Sequence, residues 1–275
     1  MMAPIVRRLL IDLETPFARH WFGGDAFRTA FGNALSMSFP LGEQFFIDSV
    51  RAGVKALPEP AQTRFAAELQ GFVGQEATHR RIHALFNAQL ERQGYVNIWE
   101  ERIRQRLPLL QSLDVRHAVA ATAANEHFTA VLADWLLRHA EWFAGTELRL
   151  ATLWLWHASE EMEHRSTAFD VYLVLGGDTR RRRRWMRIVT WHFLCDLALQ
   201  TWRNLKHDGA QWRWTTWKSA ASFLFGRAGL VRCTFAAWRA YFRRDFHPSQ
   251  ADGSPGSQWL AERRDAYVAV SQAAP

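Results

Sequence analysis

Trp156-His157-Ala158-Ser159-Glu160-Glu161-Met162-Glu163-His164 is the stretch on which the fold turns. Glu161 and His164 stand three residues apart in a run that reads as helix, and a helix with about 3.6 residues per turn puts such a pair on one face. The same spacing occurs once earlier, in Glu76-Ala77-Thr78-His79. Two more glutamates, Glu43 in Leu41-Gly42-Glu43-Gln44-Phe45-Phe46 and Glu126 in Asn125-Glu126-His127-Phe128, sit in apolar helical surroundings. The order Glu, Glu-x-x-His, Glu, Glu-x-x-His, with steps of 33, 50 and 35 residues between the glutamates, is what four helices need to hold two metal ions between them. Four solvated glutamates are hard to reconcile with neighbours such as Phe45, Phe46, Phe72, Val73, Phe128 and Trp156. Carboxylates buried among such groups are costly unless a cation offsets them.

Outward from these motifs, helical periodicity dominates and strand signals are nearly absent. The expected fold class is all-α: a four-helix bundle with additional C-terminal helices. The reading places helices over 41–56, opened by Pro40 and stopped before Pro58, and over 59–92, ending near Gly94. A third covers 114–141 with Asp114 as its N-cap, and a fourth runs from Gly145 to Gly176-Gly177. The 94–113 connection, with Pro108 inside it, holds a minor helix. Beyond Asp178 two further helices are expected, over 180–206 and 216–244, then a tail after Pro248 with weak helix signals near 257–270. The domain reading is a metal-binding bundle over 30–178, a basic Trp-rich helical extension over 179–247 packed on it, and a tail over 248–275.

The net charge of +7 is unevenly placed. Residues 178–247 carry 15 Lys or Arg against 4 Asp, together with seven of the 14 tryptophans. Basic charge interleaved with Trp favours an anionic surface, and lipid headgroups suit it better than nucleic acid. Peripheral membrane contact through 180–244 is therefore expected, with a partner-facing cap as the other reading. Cys195 and Cys233 show no CxxC spacing, which argues against a disulfide framework or zinc ribbon and fits a reducing, cytoplasmic location. The opening residues hold no apolar core of signal-peptide length.

The metal set read from spacing is Glu43, Glu76, His79, Glu126, Glu161 and His164. His157 lies four residues before Glu161 and seven before His164, within about 40° of both on the helical wheel, and extends the stripe to about 10 Å. His157, and His83 in the same relation to Glu76 and His79, are each either an additional ligand or a polar residue lining the cavity, with His157 the preferred ligand. Gln75 and Glu160, each just ahead of a pair, are placed to hydrogen-bond the histidine of the opposite helix. Asp170 and Asp48 are further candidates for that supporting role. Glu163 faces away from Glu161 and reads as solvated, and His127 points about 100° from Glu126 and is set aside. Carboxylate-rich donor sets suit iron or manganese better than zinc.

Leu41-to-Arg51, Phe72-to-Asn87, Asn125-to-Leu137, Leu153-to-Gly177 and Tyr241-to-Pro248 resemble the bacterial family called predicted metal-dependent hydrolase, a branch of the ferritin-like proteins. The likeness covers roughly 30–250. It implies a ferritin-like bundle with a dinuclear site at the six residues named above. More distantly, the site is similar to that of the di-iron arylamine N-oxygenases, which carry an extra histidine ahead of the last Glu-x-x-His, the position of His157.

The leading functional expectation is a di-iron oxygenase or oxidase acting on an apolar or aromatic small molecule by hydroxylation or N-oxygenation. Its electrons would come from an external reductase or ferredoxin, because no Gly-rich nucleotide motif is present. The alternatives are a metal-dependent hydrolase with Glu160 as proton shuttle, and a non-catalytic metal-binding protein. A homodimer is a further expectation, and nucleic acid is not expected as a partner.

Overall fold

The computed structural model describes residues 3–270. Among them the chain forms ten α-helices and one two-stranded antiparallel sheet, an all-α fold in substance. In chain order the elements are β1 (Arg7–Leu9), α1 (Ala26–Lys55), α2 (Glu59–Arg92), α3 (Ile98–Gln111), α4 (Val115–Arg138), α5 (Leu148–His164), α6 (Thr167–Val174), α7 (Thr179–His207), α8 (Trp214–Phe225), α9 (Leu230–Ala240), α10 (Ser254–Glu262) and β2 (Tyr267–Ala269).

Four long helices make the bundle: α1 packs on α2, α4 on α5, and the α1–α4 and α2–α5 contacts close it. Its interior is chiefly two apolar clusters. One holds Met37, Phe86, Trp135 and Trp154, and the other Phe46, Phe72, Val119 and Phe169. Along α1, α2 and α4 the metal-set residues fall between these two clusters, and along α5 they follow the first and precede the part of the second carried by α6. A smaller cluster of Ala130, Ala133, Ala158 and Met162 joins α4 to α5.

Helix α1 begins 15 residues earlier than its expected start at 41, capped by Asp25, whose Oδ1 accepts the Arg28 N–H at 2.8 Å. Pro40 lies inside the helix and does not open it. Proline cannot donate to the carbonyl four residues back, and that carbonyl, Ser36 O, instead accepts the Asn87 side-chain amide of α2 at 2.9 Å. A long-range hydrogen bond thus repairs the defect that made Pro40 look like a boundary.

The expected fourth helix is interrupted after His164. The Arg165 guanidinium folds back onto Met162 O and also donates to Ala251 O at 3.0 Å. A helix-terminal carbonyl is thereby satisfied by a side chain, and α6 restarts at Thr167. The helix expected over 216–244 is likewise two, because Gly226 leaves helical geometry at ψ −176° and Gly229 caps α9.

Helix α7 lies against α1 and α4, α8 against α1, and α9 against α4. The tail is no loose appendage within the described residues. Helix α10 packs on α5, and β2 pairs with β1, Arg7 opposite Ala269. Residues 271–275 of the expected tail lie outside the described residues. No described helix is long and apolar enough to cross a membrane.

Candidate metal centre

Each bundle helix delivers donors: Glu43, Glu76 with His79, and Glu126 from the middles of α1, α2 and α4, and His157, Glu161 and His164 from the C-terminal half of α5. None of the seven is more than 5% exposed. Glu161 Oε1 is the hub, 2.9 Å from His157 Nε2, 3.4 Å from His79 Nδ1 and 3.5 Å from His164 Nε2. His164 Nε2 lies 3.1 Å from Glu76 Oε1 and 3.4 Å from Glu126 Oε2, while His157 Nε2 lies 3.8 Å from Glu43 Oε1. Three overlapping donor sets result: Glu43, His79 and His157; Glu76, His79 and Glu161; and Glu76, Glu126 and His164. Within each, the donor atoms fall within 4.8 Å of one another. The structure therefore brings all seven sequence-predicted ligands together.

The donors are poorly satisfied by protein alone. Both carboxylate oxygens of Glu43, Glu76 and Glu126, with His79 Nδ1 and His164 Nε2, have no hydrogen-bond partner. Each such buried group costs about 1–3 kcal/mol, more when charged, so this concentration calls for cations in the middle. Burial pushes the Glu43 and Glu126 carboxyls well above the usual range and raises Glu76, and neighbouring carboxylates add to the rise. Glu161 is the exception: burial works against its charge, but His164, His157 and His79 outweigh it and hold it well below the usual value. His79 is pushed up to about 10, against its burial, by Glu160 and Glu161. Oxygen and imidazole donors gathered in this way fit the binding of metal ions.

Behind the donors stands a layer of hydrogen bonds that orients each imidazole. His164 Nδ1–H donates to Gln75 Oε1 at 2.9 Å, and His79 Nε2–H donates to Glu160 Oε2 at 3.0 Å. Each helix therefore supports the histidine of the opposite one through the residue just before its own ligating glutamate. In the ligating tautomer, His157 Nδ1–H donates to His83 Nε2 at 2.7 Å, and His83 Nδ1–H donates to Ser36 Oγ at 2.9 Å. Ser36 in turn donates to Asn87 Oδ1 at 2.7 Å. Burial and His157 push His83 well below the usual histidine range, so it is neutral and able to accept.

These contacts correct several expectations. His83 is in none of the three donor sets, because its ring is spent between His157 and Ser36. Glu160 faces the back of His79, the supporting role read from its position, and its second oxygen accepts from Arg7 Nη1 at 3.1 Å. Glu163 is not simply solvated: it takes both Arg7 nitrogens at 2.8 Å and the Gln75 amide at 2.7 Å. Asp170 bonds His247 at 2.7 Å and reaches no donor histidine. Asp48 accepts only from Gln44, one turn back along an exposed face. His127, set aside in the sequence, donates to Ala237 O at 3.1 Å, away from the centre.

Arg7 is the site residue that sequence reasoning missed. It arrives on a segment laid across α2 at Gly71 and Gly74, where a Cβ would sit 2.3 Å from Pro4 O and 2.2 Å from Val6 Cγ2. Two glycines on a helix face that otherwise carries the site were the available signal, since glycine inside a helix is unfavourable unless something must come close.

An apolar cavity of about 530 Å³ adjoins the centre, enclosed by α1, α3, α4 and α7. Glu43 is in its wall, with Phe39, Phe46, Leu110, Phe128, Ile188 and Phe193 among its apolar lining. Phe39 also packs against both His83 and His157, with ring centroids 4.5 and 4.9 Å apart. The cavity therefore meets the donor set at Glu43 and the Phe39-covered face of His157.

A family model described as predicted metal-dependent hydrolase matches residues 5–252. The chain belongs to that family. No curated protein and no solved structure matches it. The matched span takes in Arg7, all seven donors and the helices that carry them. Metal dependence, as the family's description has it, accords with the His/Glu clusters.

Proposed function

We propose that the chain is a ferritin-like dinuclear metalloenzyme that activates O₂ to oxidise an apolar or aromatic small molecule, by hydroxylation or N-oxygenation. The observation that carries the reading is the convergence of four unequal carboxylates and three imidazoles beside an apolar cavity. Glu43, His79, His157 and Glu161 would hold one ion, and Glu76, Glu126 and His164, sharing Glu161, the other. Two iron ions, or manganese, supply redox and Lewis-acid chemistry when bound.

The residues of the chain do the rest. Gln75, Glu160 and His83 fix the tautomer and angle of the three imidazoles. Phe39, Phe46, Phe128 and Phe193 exclude water and select an apolar substrate by burial. Glu43 is the carboxylate closest to the cavity and is the residue able to shift as substrate enters. Electrons reach the site from a separate donor, a reductase or ferredoxin.

The family's description favours a second reading, hydrolysis by a metal-activated water. The apolar character of the cavity beside Glu43 favours oxidation of an apolar substrate over it, and Glu160, the proton shuttle that this reading would use, is engaged by Arg7 and His79. The deciding experiment is anaerobic Fe(II) loading, a count of metal per chain, then O₂ addition with an oxygen electrode. Rapid O₂ consumption that scales with bound iron supports the proposal. No consumption, with ester or amide hydrolysis by the zinc or manganese form, establishes the second reading instead.

A further inference from the structure

We propose that α7, α8 and the turn between them form a docking surface for anionic lipid headgroups. The inference stands independently of the metal chemistry. Trp212 and Trp214 are 79% and 78% exposed, and Trp191 is 69% exposed. Trp202 packs on Trp212 and Trp217, with ring centroids at 5.4 and 6.3 Å, so these three indoles form one exposed cluster, with Trp214 at the same turn and Trp191 further along α7. A contiguous exposed aromatic patch marks an interaction site.

Charge selects the partner. The acids between residues 179 and 244 are Asp196 and Asp208. Asp196 is held by Arg102 and Arg106, and Asp208 by Tyr95 and Arg19, and each acid's side chain is 1% exposed. Every charge this segment shows to solvent is therefore positive, and Arg203, Lys206, Arg213 and Lys218 stand exposed among the indoles. An indole with an apolar body and a polar N–H suits the boundary between headgroup and acyl chain, and a wholly cationic surround suits anionic lipid. A self-complementary dimer through the same face would set these cations against one another. No helix here spans a bilayer, so the contact is peripheral.

The test is flotation of the metal-loaded chain with phosphatidylglycerol-containing vesicles and with pure phosphatidylcholine vesicles. The expected result is binding to the anionic vesicles, released at about 1 M salt, where the screening length falls to about 3 Å. Converting Arg213 and Lys218 to Gln should weaken partitioning by about thirtyfold. Replacing Trp212 and Trp214 with Ala should weaken it by about tenfold or more. Metal content and helical circular dichroism should stay constant in both variants, because all four side chains are exposed. The proposal is overturned by absence of flotation, by equal binding of wild type and variants, or by binding of oligonucleotides but not vesicles. A dimer in sedimentation equilibrium that the Trp double variant dissociates, without vesicle binding, overturns it too.

Discussion

Glu43→Gln separates a metal ligand from a structural acid. Glu43 is buried, has no hydrogen-bond partner on either oxygen, and is pushed by burial and by Glu76 well above the ordinary carboxylate range. Burial thus favours its uncharged form in the metal-free chain, and glutamine is nearly the isostere of that form. The metal-free variant should match wild type to within about 1 kcal/mol, a shift of about 2–4 °C in Tm. Metal-loaded protein should behave differently. An ion held at a hundredfold excess over its Kd stabilises the folded chain by about 2.7 kcal/mol, which is roughly 5–10 °C in a chain of this size. Glu43→Gln removes a donor from the set with His79 and His157 but leaves Glu76, Glu126 and His164 complete. The variant should keep about half of the wild-type iron and lose about half of the iron-dependent rise in Tm. Differential scanning calorimetry with and without Fe(II), alongside metal analysis, reads both. Full metal occupancy in Glu43→Gln, or a metal-free variant destabilised by several kcal/mol, would refute the reasoning, because either means that Glu43 is a structural group.

Other consequences are directly measurable. His83→Ala removes the acceptor that orients His157, so iron affinity should fall by about 10–100-fold while the number of ions at saturation is unchanged; a lost ion would instead make His83 a ligand. Gly42 lines the cavity and a Cβ there meets nothing within 4 Å. Gly42→Phe should therefore block turnover of an apolar substrate with metal content intact and stability held or slightly raised, as glycine is about 1 kcal/mol worse than alanine in a helix. Arg7→Met leaves Glu160 buried without its cation, so stability should drop by about 3–5 kcal/mol in chemical denaturation; a fall under about 1 kcal/mol would show that the pair is idle. His127 is held down at about 4 from 6.5, because burial favours the neutral ring that donates to Ala237 O. With its folded value lowered, the stabilisation is complete above pH 6.5 and drains away as pH falls toward 4, by about 3 kcal/mol in all. His127→Gln should flatten the stability profile across that window, and an unchanged slope would place the acid sensitivity elsewhere.

The donors were legible because helix geometry ties spacing to direction. Glu76 with His79, and Glu161 with His164, could only share a face, and the same rule carried Gln75 and Glu160 to the opposite histidines. What escaped depends on contacts between residues distant in sequence. Pro40 read as a helix start because nothing nearby says that Asn87 will take the carbonyl that Pro40 abandons. His83 and His157 lie on neighbouring helices at equal claim by the wheel, and only the 2.7 Å contact between their rings decides which faces the centre. Arg7 lay outside every helical pattern, and Glu163 looked solvated because its partner comes from β1. The break at Arg165 similarly rests on carbonyls supplied by residues 248 and 251.

The pairing of Arg7 with Ala269 has a bearing on how completely the centre is braced. The two positions are separated by nearly the whole described chain, so their contact carries a high loop-closure cost. The four bundle helices and all seven donors precede residue 165. The brace on Glu160 and His79, by contrast, draws on residues 267–269, which pair with the strand that carries Arg7. A chain lacking the β1–β2 pairing would thus keep its donors gathered while the imidazole of His79 lost part of its brace.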